Sequence, residues 1–108
     1  TVICDLPNLE RLDVSDNQLV RLPDNFSSIS TLQILNLRNN NLGDFPNEIL
    51  GLANLRTLNL SNTSIVQLPA DIAQLSTLET INLSNNGIDT FIGRFNIFYS
   101  LHIDCIDF

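Results

Sequence analysis

Leu9, Leu32, Leu55, Leu78 and Leu101 each stand 23 residues after the last, and the chain between them keeps that period. The segments LERLDVSDNQLVRLPDNFSSIST, LQILNLRNNNLGDFPNEILGLAN and LRTLNLSNTSIVQLPADIAQLST superpose without a gap. LETINLSNNGIDTFIGRFNIFYS follows the same apolar register, with changes after Thr90. Nineteen Leu and fifteen Asn make up nearly a third of the 108 residues, a bias that repetition explains and an ordinary core does not. In LDV, LNL, LNL and INL two apolar residues flank one polar residue, the alternation of a pleated strand. Short strands are therefore predicted near residues 11–14, 34–37, 57–60 and 80–83. A turn follows each strand. Then come Pro23, Pro46 or Pro69, with Asp24, Asn47 or Asp71 close behind, which is the chemistry of a helix start. The pairs Phe26/Ile29, Ile49/Leu52, Ile72/Leu75 and Phe95/Phe98 are spaced by three, so one face of each return segment points back at its strand. A unit this small cannot bury its apolar face alone, and stacking on neighbours supplies the missing cover.

The pattern LxxLxLxxNxLxxLPxxIxxLxx resembles the leucine-rich repeat family in its 23-residue form with a Leu-Pro pair, over the chain up to about Ser100. The resemblance implies an α/β solenoid, a right-handed superhelix with short parallel strands on the concave side and helical or 3₁₀ turns on the convex side. On this reading residues 1–108 are one leucine-rich-repeat domain. A partial repeat at 1–8 precedes repeats at 9–31, 32–54, 55–77 and 78–100, and 101–108 is a terminal partial repeat or cap. Ile3, Leu6 and Leu9 occupy the register of Phe26, Ile29 and Leu32, so the chain opens halfway through a unit and is expected to be a piece of a longer protein. The resemblance also implies a structural asparagine ladder at Asn17, Asn40, Thr63 and Asn86. A carboxamide donates and accepts, so it can satisfy backbone groups of two adjacent bends. Thr63 keeps only a hydroxyl, and its rung is expected to be weaker.

Charge narrows the partners. The chain carries a net charge of -7, and its basic residues are Arg11, Arg21, Arg38, Arg56 and Arg94, with no lysine. Such a surface repels phosphate, so neither nucleic acid nor anionic membrane is expected to bind. No apolar stretch approaches the length that crosses a bilayer, so no membrane insertion is expected. His102 is the only histidine, and no glycine-rich phosphate loop is present. No catalytic residue, cofactor, metal or small-molecule substrate is expected, and the chain is read as not an enzyme. Asp13 with Asp16 matches no calcium-loop spacing and is read as solvated. Cys4 and Cys105 fall in the first partial unit and the fifth strand. Four strand steps of about 4.8 Å separate them by roughly 19 Å or more, against a Cα limit near 7 Å. Free thiols and a reducing compartment are expected, hence a cytoplasmic address, which is the host cytoplasm if the chain is a bacterial effector; an extracellular one is the lesser expectation. N-x-[ST] occurs at Asn25, Asn59, Asn62 and Asn82, but three of these follow from the repeat itself. At ordinary usage a chain of this length lacks lysine on the order of once in a thousand. Descent from a lysine-free ancestral unit is the preferred reading, and avoidance of ubiquitin attachment by an effector is the alternative.

The segment FIGRFNIFYSLHIDCIDF departs from the pattern. Ile92 replaces the proline, five of the seven aromatics fall after Thr90, and Asp104 lands where other units have Leu or Ile. Leu101, Ile103 and Cys105 alternate instead, so the fifth strand is expected to slip by one residue. Phe95 and Phe98 are read as core residues of an end cap, with a docking surface for a following domain as the alternative. The chain is accordingly expected to be a non-enzymatic, scaffold-like module that binds a protein partner through its concave face. The candidate residues are Arg11, Asp13, Ile34, Asn36, Arg38, Thr57 and Asn59, with Ile34 and Arg38 combining an outward apolar group with charge. The alternatives are the repeat region of a bacterial effector acting on host proteins, or a structural spacer presenting a separate catalytic domain.

Overall fold

Alternation in the strand segments is realised as a parallel sheet. In a computed structural model, which describes residues 8–88 and 105–107, the strands are β1 (Arg11–Asp13), β2 (Ile34–Asn36), β3 (Thr57–Asn59), β4 (Thr80–Asn82) and β5 (Cys105–Asp107). They pair in chain order. Arg11 stands opposite Ile34, Ile34 opposite Thr57 and Thr57 opposite Thr80, so each step equals the sequence period. Strands so close to their neighbours in sequence can be parallel only if the chain crosses back between them. Three 3₁₀ segments lie on those crossings: η1 (Phe26–Ser28), η2 (Asn47–Gly51) and η3 (Ala70–Gln74).

The polar residues read as helix starters do not cap these segments. None of the three has a side-chain cap, and the proline carbonyls take that place. The Phe26 N–H donates to the Pro23 carbonyl at 3.0 Å, Ile49 to Pro46 at 3.0 Å and Ile72 to Pro69 at 3.2 Å. Pro46 and Pro69 directly precede their 3₁₀ segments, whereas Asp24 and Asn25 intervene after Pro23 and shorten η1.

Leucine columns running through the stack form the core. Leu35, Leu58 and Ile81 come from the strand centres; Leu37, Leu60 and Leu83 follow them; Ile49 and Ile72 return from the 3₁₀ segments; all are essentially fully buried. In the first unit Leu12 and Val14, their strand counterparts, are only partly buried, as are Leu9 and Leu19. The difference is positional, since each unit buries the face of the one before and after it.

The fifth strand corrects the expected one-residue slip. Thr80 pairs with Cys105, Ile81 with Ile106 and Asn82 with Asp107, a step of 25 residues where the other steps are 23. Two residues are added to the crossing, so the strand keeps its parity. A 23-residue step would have set Asp104 opposite Ile81, and the longer step brings Ile106 there instead. Ile92, Phe95, Phe98 and His102, like Cys4, lie outside the described residues.

Candidate protein-binding face

Each strand ends in a tight bend, and the polar residues of the bend decide which side chains remain available on the sheet. Asn40 donates to the carbonyls of Leu37 (2.9 Å) and, in the preceding unit, Val14 (3.1 Å), and its oxygen accepts the Leu19 N–H at 3.1 Å. Asn86 does the same two rungs on, donating to Leu83 (2.9 Å) and Leu60 (2.8 Å) while accepting the N–H groups of Thr63 (2.9 Å) and Ile65 (3.1 Å). Thr63 donates to the Leu60 carbonyl at 2.7 Å but, among the described residues, its side chain makes no bond to the unit before it. Asn17 is exposed and, among the described residues, bonds within its own bend, to Val14 (2.8 Å) and Ser15 (3.1 Å). No buried side-chain nitrogen or oxygen among the described residues lacks a partner.

Two further polar columns have structural roles that the repeat pattern did not assign. Asp16, Asn39, Asn62 and Asn85 all adopt left-handed backbone, with φ between 54° and 59°. Asp and Asn are the non-glycine residues that tolerate this region best, which is why the column contains nothing else. Their side chains link along the stack: Asn39 donates to Asp16, and Asn62 to Asn39 at 2.6 Å. They are turn residues first and only secondarily a surface. On the crossing side, Thr31 donates to Leu9 O (2.6 Å), Asn54 to Ser30 O (2.6 Å) and Thr77 to Leu55 O (2.8 Å). The signal was available in principle, since Thr31, Asn54 and Thr77 are also 23 apart.

The candidate concave residues fall on three adjoining strands. Arg11, Ile34 and Thr57 form one transverse row, and Asp13, Asn36 and Asn59 another. Arg11, Asp13 and Arg38 are exposed, while Ile34, Asn36, Thr57 and Asn59 are half-buried. Ile34 is thus shielded on both sides by the row it stands in and is less exposed than its outward position implied. The most exposed large apolar residues described are Val20 (64%) and Val66 (54%), on the loops beyond the asparagine bends. Among the described residues the ion pair found is Arg56 with Glu79, at 3.8 Å between two exposed side chains, and neither Arg11 nor Arg38 is paired with a described carboxylate. Asp13 accepts both the hydroxyl (2.6 Å) and the backbone N–H (2.9 Å) of Ser15, and these bonds hold its carboxyl below the ordinary carboxylate value.

A cleft of about 450 Å³ opens at the first unit, lined by Leu12, Val14, Leu19, Leu22 and Phe26 with Asn17, Arg21 and Pro23 at its edge. These are the columns that the second unit has buried, so the cleft is the stacking face of the core. No group of three or more His, Cys, Asp or Glu among the described residues is placed to hold a metal ion. No described helix is long and apolar enough to cross a membrane.

Strand, asparagine bend and 3₁₀ return, recurring at a fixed period, define a solenoid with one polar sheet face. A leucine-rich-repeat family model matches residues 7–65 and a second matches residues 77–98, and the chain belongs to the leucine-rich repeat family. A leucine-rich-repeat protein of Leptospira interrogans has a similar structure, with a TM-score of 0.84 and 33% identity over 98% of this chain and 27% of that one. The ectodomain of the receptor kinase SOBIR1 from Arabidopsis thaliana superposes with a TM-score of 0.72 and 29% identity over 99% of this chain and 60% of that one. The ectodomain of the receptor kinase GASSHO1/SCHENGEN3, also from Arabidopsis thaliana and solved with CASPARIAN STRIP INTEGRITY FACTOR 2, gives 0.72 and 31% over 97% and 13%. The chain therefore spans about a quarter of the first of these proteins, 60% of the second and 13% of the third. No curated protein sequence matches it. Domains of this fold are generally protein-interaction scaffolds rather than catalysts.

Proposed function

We propose that this chain is a non-enzymatic protein-binding module whose concave face, around Arg11, Ile34 and Arg38, docks a protein partner. The observation that carries the reading is the pair Arg11 and Arg38, both exposed and neither in an ion pair among the described residues, with Arg11 opposite the apolar Ile34 on the next strand and Arg38 just past Asn36 at the end of β2. Asp13, Asn36, Thr57 and Asn59 surround this centre with short polar groups. Arginine is favoured at interface hot spots because its guanidinium combines a flat apolar surface with directed donors. Nothing in the fold itself calls for an isoleucine on a row shared with Arg11 and Thr57. Affinity capture with the chain as bait tests the reading. A partner retained by the parent protein is expected to be lost by both Ile34→Asp and Arg38→Glu, each leaving the circular dichroism spectrum unchanged. A partner bound equally by both variants moves the site to the convex side or to the aromatics after Thr90.

The similarity to a Leptospira interrogans protein favours, as a second reading, the same module acting on host proteins as part of a bacterial effector. The cytoplasmic address rests on the isolated cysteines alone. Alkylation of both Cys4 and Cys105 in unreduced protein from the native cell supports it, and a mixed disulfide at either one counts against it.

A further inference from the structure

The strand-end turns consume one kind of hydrogen-bonding atom on the concave face and spare the other. Along the row Asp13, Asn36, Asn59 and Asn82, one side-chain oxygen of each residue turns back to accept the backbone N–H two residues on, at 2.9, 3.0, 2.9 and 2.9 Å. The Asn59 oxygen also accepts the Ser61 hydroxyl at 2.7 Å, which occupies both of its lone pairs and turns the serine proton away from solvent. What Asn59 still offers is its amide –NH₂, which has no acceptor among the described residues. Asn36 is different, because its –NH₂ already reaches the Asp13 carboxylate at 3.4 Å. The next residue along this surface is Arg38, exposed, donor-only, and two residues past Asn36 just as Ser61 is two past Asn59.

We propose that Arg38 and the Asn59 carboxamide form a seat for a carboxylate carried by an extended acidic segment of the partner protein, laid across β2 and β3. This rests on the concave-face reading above and adds the chemistry that the partner must bring. Two donor groups side by side, one just past the end of β2 and one on β3, with the Asn59 oxygen fully used by Ser61 and the Asn36 oxygen turned back onto the Arg38 N–H, select a ligand rich in acceptors, and a charged acceptor gains most from a guanidinium. Asp13 fixes the direction of the segment. Its carboxylate on β1 is committed to Ser15 and Asn36 and repels a second one, so the acidic residue sits on the β3 side of Arg38 while Ile34 packs against the segment's apolar part.

Asp13 also supplies the control for the test. It shows that a carboxylate in this row supports the same turn, so Asn59→Asp retains the acceptor for Ser61 and replaces the outward donors with an anionic oxygen. The whole chain is presented to a display library of random twelve-residue peptides, and binders are measured by fluorescence anisotropy against the parent, Asn59→Asp, Arg38→Gln and Ile34→Ala. The selected pool is expected to be enriched in Asp and Glu. Its members are expected to bind Asn59→Asp and Arg38→Gln roughly tenfold or more weakly, with unchanged melting temperatures and with affinity that falls as salt is raised. Binders without acidic enrichment that are lost on Ile34→Ala overturn the carboxylate seat and leave the concave-face reading standing. Acidic binders indifferent to Asn59→Asp likewise overturn the seat. Binders indifferent to all three variants, or no binders at all, overturn both.

Discussion

Asn40 shows what a single side chain does in this molecule. Its amide bridges two units, and its removal strands the Leu19 N–H and the Leu37 carbonyl in a bend where Asn40 is 4% exposed. Asn40→Ala is expected to lower unfolding free energy by about 1–3 kcal/mol, the penalty for orphaning buried backbone groups. Thr63→Ala is expected to cost less, because the Leu60 carbonyl keeps its second donor, Asn86 at 2.8 Å. Urea denaturation of the two variants orders them, and the reverse order removes Asn40 from the ladder. Asp13 gives a pH-dependent counterpart. The Ser15 hydroxyl and N–H lower its folded pKa, so its contribution to stability is present above the unfolded value and lost as pH falls through the lower folded one. Asp13→Asn, which keeps the turn, is expected to flatten the acid limb of the stability profile below about pH 4, and NMR titration of the Asp13 carboxyl checks the direction directly.

At the scale of elements, spacing between the 3₁₀ segments is set by a glycine that the repeat does not demand. Gly51 occupies the position of Ser28 and Gln74 in the neighbouring units, yet a Cβ built there lies 2.6 Å from Ser27 Cβ. Gly51→Ala is therefore expected to destabilise by about 1–3 kcal/mol through overpacking between η1 and η2. Removing the opposing atom should relieve the clash, so the double variant Gly51→Ala with Ser27→Gly is expected to recover part of the loss in thermal melts. Additive losses would show that the two positions do not clash. The repeat pattern does not mark position 51, since the contact that constrains it comes from the unit before.

The whole molecule is a stack in which stability passes between neighbours, and its ends differ from its middle. Among the described residues Leu9, Leu12, Val14 and Leu19 of the first unit are partly buried, whereas Leu32, Leu35, Leu37 and Leu42 of the second, with units described on both sides, are nearly completely buried. The same reasoning applies at β4, which is paired on its far side by β5. Ending the chain after Asp89 removes that strand. The shortened protein is expected to melt at a lower temperature, less cooperatively, and with a tendency to aggregate through the bared edge. An unchanged, equally cooperative transition would make the removed segment a docking tail.

The sequence alone was enough for the architecture, because a 23-residue period with fixed apolar and asparagine positions has one low-energy solution: parallel strands in register, linked by short returns. The strands over Arg11–Asp13, Ile34–Asn36, Thr57–Asn59 and Thr80–Asn82 were legible for that reason. Wherever the period ends, so did the reading. The two added residues before β5 lie in a crossing whose length no local pattern fixes, and only the pairing of Ile106 with Ile81 decides it. The roles of Asp16, Asn39 and Asn62 depended on a left-handed backbone that neither charge nor hydropathy encodes. The candidate site sits at this boundary. Its outward positions followed from pleating, but the half-burial of Ile34 and the commitment of the Asn59 oxygen to Ser61 depend on neighbouring strands and turns that a linear pattern does not bring together.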